Sequence, residues 1–148
     1  MFDPTDFRRL ASRLLRNSKS DAADCRTAVS RLYYYVFLFA RNYLEPHFIF
    51  SKVGAVHEEV QLLFQNASNP LAMQIAVKIS ALRAQRNTAD YDLAHPDIGT
   101  LPTARLAEEN TKRLAGEISE LLSGDDAQAV ISAMKSWAKM SSKPRPRS

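Results

Sequence analysis

The segment AADCRTAVSRLYYYVFLFARNYL, residues 22 to 44, decides the fold class. One side of the predicted helix carries an apolar stripe, and aromatic or apolar residues cover much of the rest. The stripe is Val29, Leu32, Val36, Phe37, Ala40 and Leu44, and the other residues are Tyr34, Tyr35, Leu38 and Phe39. A helix that is apolar almost all round is buried on more than one side. It is either the central helix of a monomer or a helix that also meets a second copy of the chain, and we expect a homodimer.

The remainder of the chain also carries helix signals, separated by clear breaks. Asp3-Pro4-Thr5 begins a first helix, Asp21 caps the helix at residues 22 to 44, and Asn69-Pro70 begins a fourth. Apolar periodicity predicts the others at about 55 to 66, 102 to 124 and 125 to 140, with the fourth reaching about residue 93. Four glycines and few alternating β-branched residues argue against a sheet. We therefore predict one all-α domain of about five to six helices at residues 1–141, followed by a disordered basic tail at 142–148.

Composition limits the classes of function. The net charge of +4 favours a polyanionic partner, nucleic acid above all, although part of the excess comes from the tail. A single cysteine, Cys25, permits no intrachain disulfide, and the polar start of the chain has no signal-peptide core. No apolar run is long enough to cross a membrane. We expect a cytoplasmic protein without membrane contact. Because there is no glycine-rich phosphate loop and no metal-ligand cluster, we expect no metal and no cofactor.

Residues 82 to 91, LRAQRNTADY, are the strongest candidate for a functional site. The fourth helix has an apolar stripe of Leu71, Ile75, Ile79 and Leu82, and the next positions on it are Arg86 and Asp90. A charge on a core-facing stripe needs a partner or a ligand. Arg before Asp is the weaker order for a salt bridge within a helix. Two interpretations stay open: an internal ion pair of Arg86, or an arginine-lined cleft that binds phosphate.

Other candidate residues are less specific. Arg83 lies one turn before Arg86, and Asn87 and Tyr91 belong to the same segment. His57 opens the third helix, where a histidine caps or packs more often than it catalyses, although the fold could bring it near Arg86. Tyr33, Tyr34 and Tyr35 could stack on bases. At helical spacing in an apolar segment they favour core or interface instead.

Taken together, these motifs resemble the HEPN domains of prokaryotes. Arg31-Leu-Tyr-Tyr34-Tyr35 has the form R-x-x-Y-Y, the helix that opens at His57 follows, and Arg86-Asn-Thr-Ala-Asp90-Tyr91 has the form R-x-x-A-D-Y. The similarity covers roughly residues 22 to 122, and its strength lies in the order and spacing of the motifs. It implies a HEPN-like antiparallel helical bundle that forms homodimers, with the polar motif lining a cleft at the dimer interface.

The HEPN resemblance also implies possible functions. Many members are metal-independent ribonucleases of toxin–antitoxin and antiviral systems, often beside a small nucleotidyltransferase partner. Their site is an arginine, commonly followed by Asn or another polar residue, with a histidine after four to six intervening residues. Arg86-Asn87 matches the first half, but Tyr91 follows after four residues and His95 only after eight, so the histidine has no counterpart.

Three hypotheses result from this comparison. The first is a dimer in a toxin–antitoxin or stress and defence module that binds RNA, a nucleotide or a nucleotidyltransferase. Its cleft is lined by Arg83, Arg86, Asn87, Asp90 and Tyr91, and Arg31 and His57 are further candidate binding residues. The second is an active endoribonuclease in which Arg86, Asp90 and Tyr91 form a non-standard site. The third is a structural adaptor, in which Arg86 and Asp90 form an internal ion pair.

Overall fold

A computed structural model describes residues 1–17 and 19–148. Within them the chain is all-α apart from one pair of two-residue strands, which the sequence did not indicate. The elements in chain order are α1 (Thr5–Leu15), α2 (Ala22–Leu44), β1 (Phe48–Ile49), α3 (Ala55–Gln65), α4 (Pro70–Tyr91), α5 (Leu101–Ser123), α6 (Ala127–Ser141) and β2 (Arg145–Pro146). This confirms the all-α class and places the helices within two or three residues of the predicted bounds. None of the described helices is both long and apolar enough to span a membrane.

Side-chain acceptors begin three of the helices where the sequence predicted. Asp3 accepts a hydrogen bond from the backbone N–H of Thr5 at 2.9 Å. Asp21 and Asp24 accept each other's backbone N–H at the start of α2, at 2.8 and 3.2 Å. The Asn69 amide oxygen accepts the N–H of Ala72 at 3.1 Å. These bonds satisfy N–H groups that the first turn of a helix cannot pair internally.

The first of two compact units contains Met1–Phe39 and Ala81–Arg113. Its core brings together small and apolar side chains of α1, α2, α4, α5 and the segment between α4 and α5, namely Ala11, Leu15, Cys25, Ala28, Val29, Leu32, Ala89, Ile98, Ala104 and Ala107. Two polar contacts fasten α1 to α5. The Ser12 hydroxyl lies 3.2 Å from a Glu108 carboxylate oxygen, and Arg105 donates to the Leu15 carbonyl at 3.3 Å. All but one of the candidate residues of the sequence lie in this unit.

The second unit contains Ala40–Ser80 and Leu114–Ser148. Its fully buried side chains include Phe48, Leu63, Phe64, Ile118 and Met134. Strand β1 pairs with β2 in antiparallel register, Phe48 opposite Pro146 and Ile49 opposite Arg145. That the two units form one domain stays a prediction.

The segment at 142–148 differs from the disordered tail that we expected. Besides the strand pair, the backbone N–H of Arg147 donates to the His47 carbonyl at 2.7 Å, and its side-chain Nε donates to the Glu45 carbonyl at 2.9 Å. Lys135 donates to the Arg147 carbonyl at 3.1 Å. The sequence did not predict these hydrogen bonds because their acceptors are main-chain carbonyls, which every residue has and no pattern of side chains marks. A short Pro- and Arg-rich run resembles an unfolded segment until a partner for its backbone is known.

Helix α2 buries most of its apolar surface within the chain. Leu32, Tyr33, Val36, Ala40 and Leu44 are at most 1% exposed. Tyr34, Leu38 and Phe39 remain half-buried. Packing within one chain therefore buries most, though not all, of the apolar surface of this helix. The homodimer stays a prediction.

Candidate functional site

Arg86 and Asp90 stand one turn apart on α4 and form an ion pair. Nε of Arg86 lies 2.8 Å from Oδ2 of Asp90, and the two side chains are 21% and 27% exposed. The N–H of Nε, which is buried, does not point at an acceptor, so the contact is a charge attraction without an aligned hydrogen bond. This geometry agrees with the weak order of charges along the helix. The internal ion pair that the sequence allowed is therefore present.

Two tyrosine rings lie beside the Arg86 guanidinium. Its central carbon lies 5.2 Å from the centre of the Tyr34 ring and 5.5 Å from that of Tyr91, within the range of cation–π attraction. Tyr91 is 71% exposed. We call Arg31, Tyr34, Arg86, Asp90 and Tyr91 the Arg–Tyr cluster. It joins the end of α4 to α2.

A second guanidinium contacts the same tyrosine. The Arg31 guanidinium carbon lies 5.4 Å from the Tyr34 ring centre and 5.2 Å from that of Phe7 on α1. The structure thus brings Arg31 together with Arg86, although 55 positions separate them in the sequence. Arginines and aromatic rings alternate from α1 through α2 to the end of α4.

The remaining sequence candidates on α4 lie around the cluster. Asn87 is exposed, and its amide oxygen accepts a hydrogen bond from Nη1 of Arg86 at 3.1 Å. Arg83 is half-buried and close enough to Tyr33 for its charge to affect that hydroxyl. Burial raises the pKa of Tyr33 to about 12, while the charges of Arg83 and Arg86 act in the opposite direction. Tyr33 therefore remains a neutral phenol throughout the physiological range.

Ser30 links α2 to the carboxylate of the cluster. Its hydroxyl donates to Oδ2 of Asp90 at 3.2 Å, the same oxygen that faces Nε of Arg86. Ser30 is 2% exposed. Asp90 is thus held from α2 as well as from its own helix, which fixes the position of the charge that faces Arg86.

Arg26 is a residue of the site that the sequence did not single out. Its Nη1 donates to the carbonyls of Asp92 at 2.9 Å, Ala89 at 3.1 Å and Thr88 at 3.4 Å. Its Nη2 donates to the His95 carbonyl at 3.3 Å. The last carbonyls of a helix have no intrahelical partner, and a cation there also suits the helix dipole. Arg26 therefore fixes the end of α4 that presents Asp90 and Tyr91. Because its acceptors are all main-chain atoms, no sequence motif marks it.

His95 and His57 both lie outside α4. His95, the nearest histidine in the sequence, lies in the turn after α4, and its Nδ1 accepts the backbone N–H groups of Ile98 at 3.2 Å and Asp97 at 3.3 Å. His57 lies in the first turn of α3, in the second unit, and is half-buried.

The Arg–Tyr cluster presents the positive charge of guanidinium groups and the flat faces of tyrosine rings. Guanidinium groups bind phosphate oxygens through paired N–H donors, and exposed rings stack on nucleobases. Within residues 1–17 and 19–148, no group of three His, Cys, Asp or Glu side chains is arranged to hold a metal ion. The residues present are thus suited to contacts with phosphate and bases.

Comparison of this chain with protein-family models, with curated proteins and with solved structures gives no match.

Proposed function

We propose that this protein binds single-stranded RNA through the Arg–Tyr cluster. The observation that carries the proposal is the placement of the Arg86 guanidinium against two tyrosine rings, 5.2 Å from Tyr34 and 5.5 Å from the exposed Tyr91. Alternating cations and aromatic rings are the usual surface for single strands, because every base has a face that can stack. The excess positive charge of the chain supports the same partner.

The ion pair with Asp90 leaves donors of Arg86 for a ligand. A guanidinium has five N–H groups. Asp90 lies against Nε, and Nη1 contacts the amide oxygen of the neighbouring Asn87. Asn87 is itself exposed, so an RNA phosphate could replace its amide oxygen as acceptor. In this arrangement Asp90 positions Arg86, Arg86 contacts phosphate, and Tyr91 stacks on a base.

Fluorescence anisotropy with labelled oligo(U) tests the proposal. We expect Arg86→Ala to weaken binding by at least about tenfold and Tyr91→Ala by about fivefold or more, since stacking on one ring contributes about 1–3 kcal/mol per base. Tyr91→Phe should retain most of the affinity. Lys139→Ala is the matched control, because it removes an exposed cation from α6. If Arg86→Ala binds as tightly as the parent, RNA recognition by the Arg–Tyr cluster is wrong.

A structural role for the Arg86–Asp90 pair is the second candidate, and the Ser30 bond to Asp90 favours it. In that case Arg86→Ala lowers the melting temperature and leaves RNA binding unchanged in the folded fraction. Replacing both charges by apolar residues, Arg86→Met with Asp90→Leu, should then restore stability, since well-packed apolar pairs often match ion pairs. A double variant that is stable but does not bind RNA supports the binding role instead.

On the strength of the HEPN resemblance alone, we extend the proposal to a toxin–antitoxin or stress-response module. A homodimer and a nucleotidyltransferase partner belong to the same proposal. Cleavage is a separate outcome: removal of a ribose 2′-hydroxyl proton near neutral pH requires a group such as histidine, and tyrosine has a pKa near 10. We expect bound RNA to stay intact in EDTA. Cleavage that disappears in Arg86→Ala would instead establish a metal-independent endoribonuclease.

A further inference from the structure

A groove between α1 and α5 gathers positive charge in the first unit. Its volume is about 370 Å³, and its lining is Arg8, Arg9, Ser12, Arg13, Arg16 and Lys112. Five of the six lining residues are cations. The contacts of Ser12 with Glu108 and of Arg105 with the Leu15 carbonyl hold the two helices together, so the groove is built by packing.

Few carboxylates neutralise this charge. Arg9 pairs with Asp6 at 2.8 Å, but both side chains are more than half exposed, and such pairs contribute little. Lys112 lies 4.0 Å from Glu108, at the limit of an ion pair. Among residues 1–17 and 19–148, the side chains of Arg13 and Arg16 make no ion pair or hydrogen bond, and both are exposed. Two guanidinium groups thus keep all their donors available.

Charge repulsion makes this arrangement unfavourable for α1 alone. Arg9 and Arg13 are four residues apart, and Arg13 and Arg16 three, spacings at which like charges on a helix repel. Lys112 adds a further cation from α5. A bound polyanion relieves such repulsion, and arginine suits phosphate because its planar donors match the phosphate oxygens.

The groove and the Arg–Tyr cluster are linked through α1. Phe7 lies next to Arg8 in the sequence and contacts Arg31 of the cluster at 5.2 Å. We propose that the groove holds phosphate groups of the same RNA strand that the cluster binds. This inference rests on the proposed function and adds a second contact region to it.

The chemistry favours RNA over an anionic membrane as the occupant. A helix that lies on a membrane needs an exposed apolar face. In α1 the apolar side packs inward, with Ala11 fully buried and Leu15 3% exposed. The exposed apolar side chains of Met1 and Phe2 precede α1, and the helix itself presents no exposed apolar stripe to insert into lipid.

The test compares labelled oligo(U) of about 4 and about 16 nucleotides, which bracket the site sizes of single-strand-binding folds. We expect the parent to bind the longer strand more tightly. Arg13→Glu with Arg16→Glu should weaken binding of the longer strand at least tenfold more than that of the shorter one. The slope of log affinity against log salt should become flatter by at least about 0.7, the value for one phosphate contact.

Two further pairs of substitutions keep the outcome decisive. Lys52→Glu with Lys139→Glu makes the same change in net charge at exposed positions of the second unit and should have a small effect that is equal for both strands. Arg13→Gln with Arg16→Gln avoids reversed charge on α1 and should still flatten the salt slope. Circular dichroism confirms that each variant is folded.

Different results separate the failure of this inference from the failure of the proposed function. If Arg86→Ala abolishes binding but the α1 variants behave like the Lys52 and Lys139 control, the groove proposal alone is overturned. If the parent binds neither strand, both proposals fail. Tighter binding to phosphatidylserine vesicles than to oligo(U), lost in the α1 variants, would overturn the assignment of the groove to RNA.

Discussion

Oδ2 of Asp90 lies 2.8 Å from Nε of Arg86, and the N–H of that nitrogen is not directed at an acceptor. The two side chains attract each other, yet the carboxylate is held by a second bond, from Ser30 on α2. Asp90 therefore limits the charge that Arg86 can offer to a ligand while fixing where the guanidinium lies. The carboxylate of Asp90 thus stabilises the fold but weakens the attraction of Arg86 for an anionic ligand.

Asp90→Asn should tighten RNA binding. The substitution keeps the size of the side chain and an acceptor for Ser30, but it removes the negative charge beside Arg86. One unit charge at about 4 Å in water changes an interaction by about 1 kcal/mol, which is about fivefold in affinity. Anisotropy titration with oligo(U) measures the change, and the melting temperature should fall at the same time. Unchanged binding by a folded Asp90→Asn variant would show that Arg86 is not a phosphate contact, whereas weaker binding would show that the positioning of Arg86 by Asp90 outweighs the charge that Asp90 neutralises.

Arg26→Ala should destabilise the first unit by about 2–4 kcal/mol. It removes the Arg26 hydrogen bonds to four main-chain carbonyls at and after the end of α4, of which those of Thr88 and Asp92 keep a backbone N–H donor. Hydrogen bonds to a charged group contribute about 1.5–3 kcal/mol each before bound water replaces some of them. Urea unfolding followed by circular dichroism measures the loss. Arg26→Lys should recover only part of it, because an ammonium group cannot span the separate carbonyls as a guanidinium does. If Arg26→Ala and Arg26→Lys each lower the free energy of unfolding by the same small amount, this role of Arg26 is wrong.

Tyr33 should titrate late in the folded protein. Its pKa is raised by burial to about 12 from an ordinary 10.0, so the folded state holds the phenolic proton more tightly than the unfolded chain. Its contribution to stability is complete below pH 10 and is lost as the pH rises toward 12. Because burial also raises the pKa of Tyr35, near-ultraviolet absorbance of tyrosinate should show fewer groups titrating near pH 10 than the five tyrosines of the chain, with Tyr33 among the last. Tyr33→Phe should remove this part of the alkaline dependence, and a curve identical to that of the parent would contradict it.

Removal of residues 143–148 should lower the melting temperature. It deletes β2, the three hydrogen bonds of Arg147 to the carbonyls of Glu45, His47 and Phe48, and the acceptor of Lys135. At about 1 kcal/mol for each net hydrogen bond, the expected loss is about 2–4 kcal/mol. Differential scanning calorimetry measures it, and Lys143→Ala serves as a control that leaves the strand pair intact. A shortened chain as stable as the parent would mean that the basic segment is the unstructured tail first expected from its composition.

The sequence by itself determined the helices of this protein. Apolar periodicity in α2 and α4, the acceptors Asp21 and Asn69 at their starts, and the scarcity of glycine act over a few neighbouring residues, and such local signals can be recognised without knowledge of the fold. The same periodicity marked Arg86 and Asp90, since one helical turn brings them to the same side.

Only the tertiary structure decided what surrounds those charges. Arg31 and Arg86 both contact the Tyr34 ring, and Arg26 binds the carbonyls at the end of α4. Helix α1 and Lys112 form a basic groove. All of these contacts join residues that are far apart in the sequence. Packing also buried most of the apolar surface of α2 within one chain, whereas composition alone led us to expect a homodimer. The physical reason is the same in each case. Local backbone preference depends on neighbours along the chain, whereas the partner of a guanidinium or of a carbonyl depends on which helices pack together.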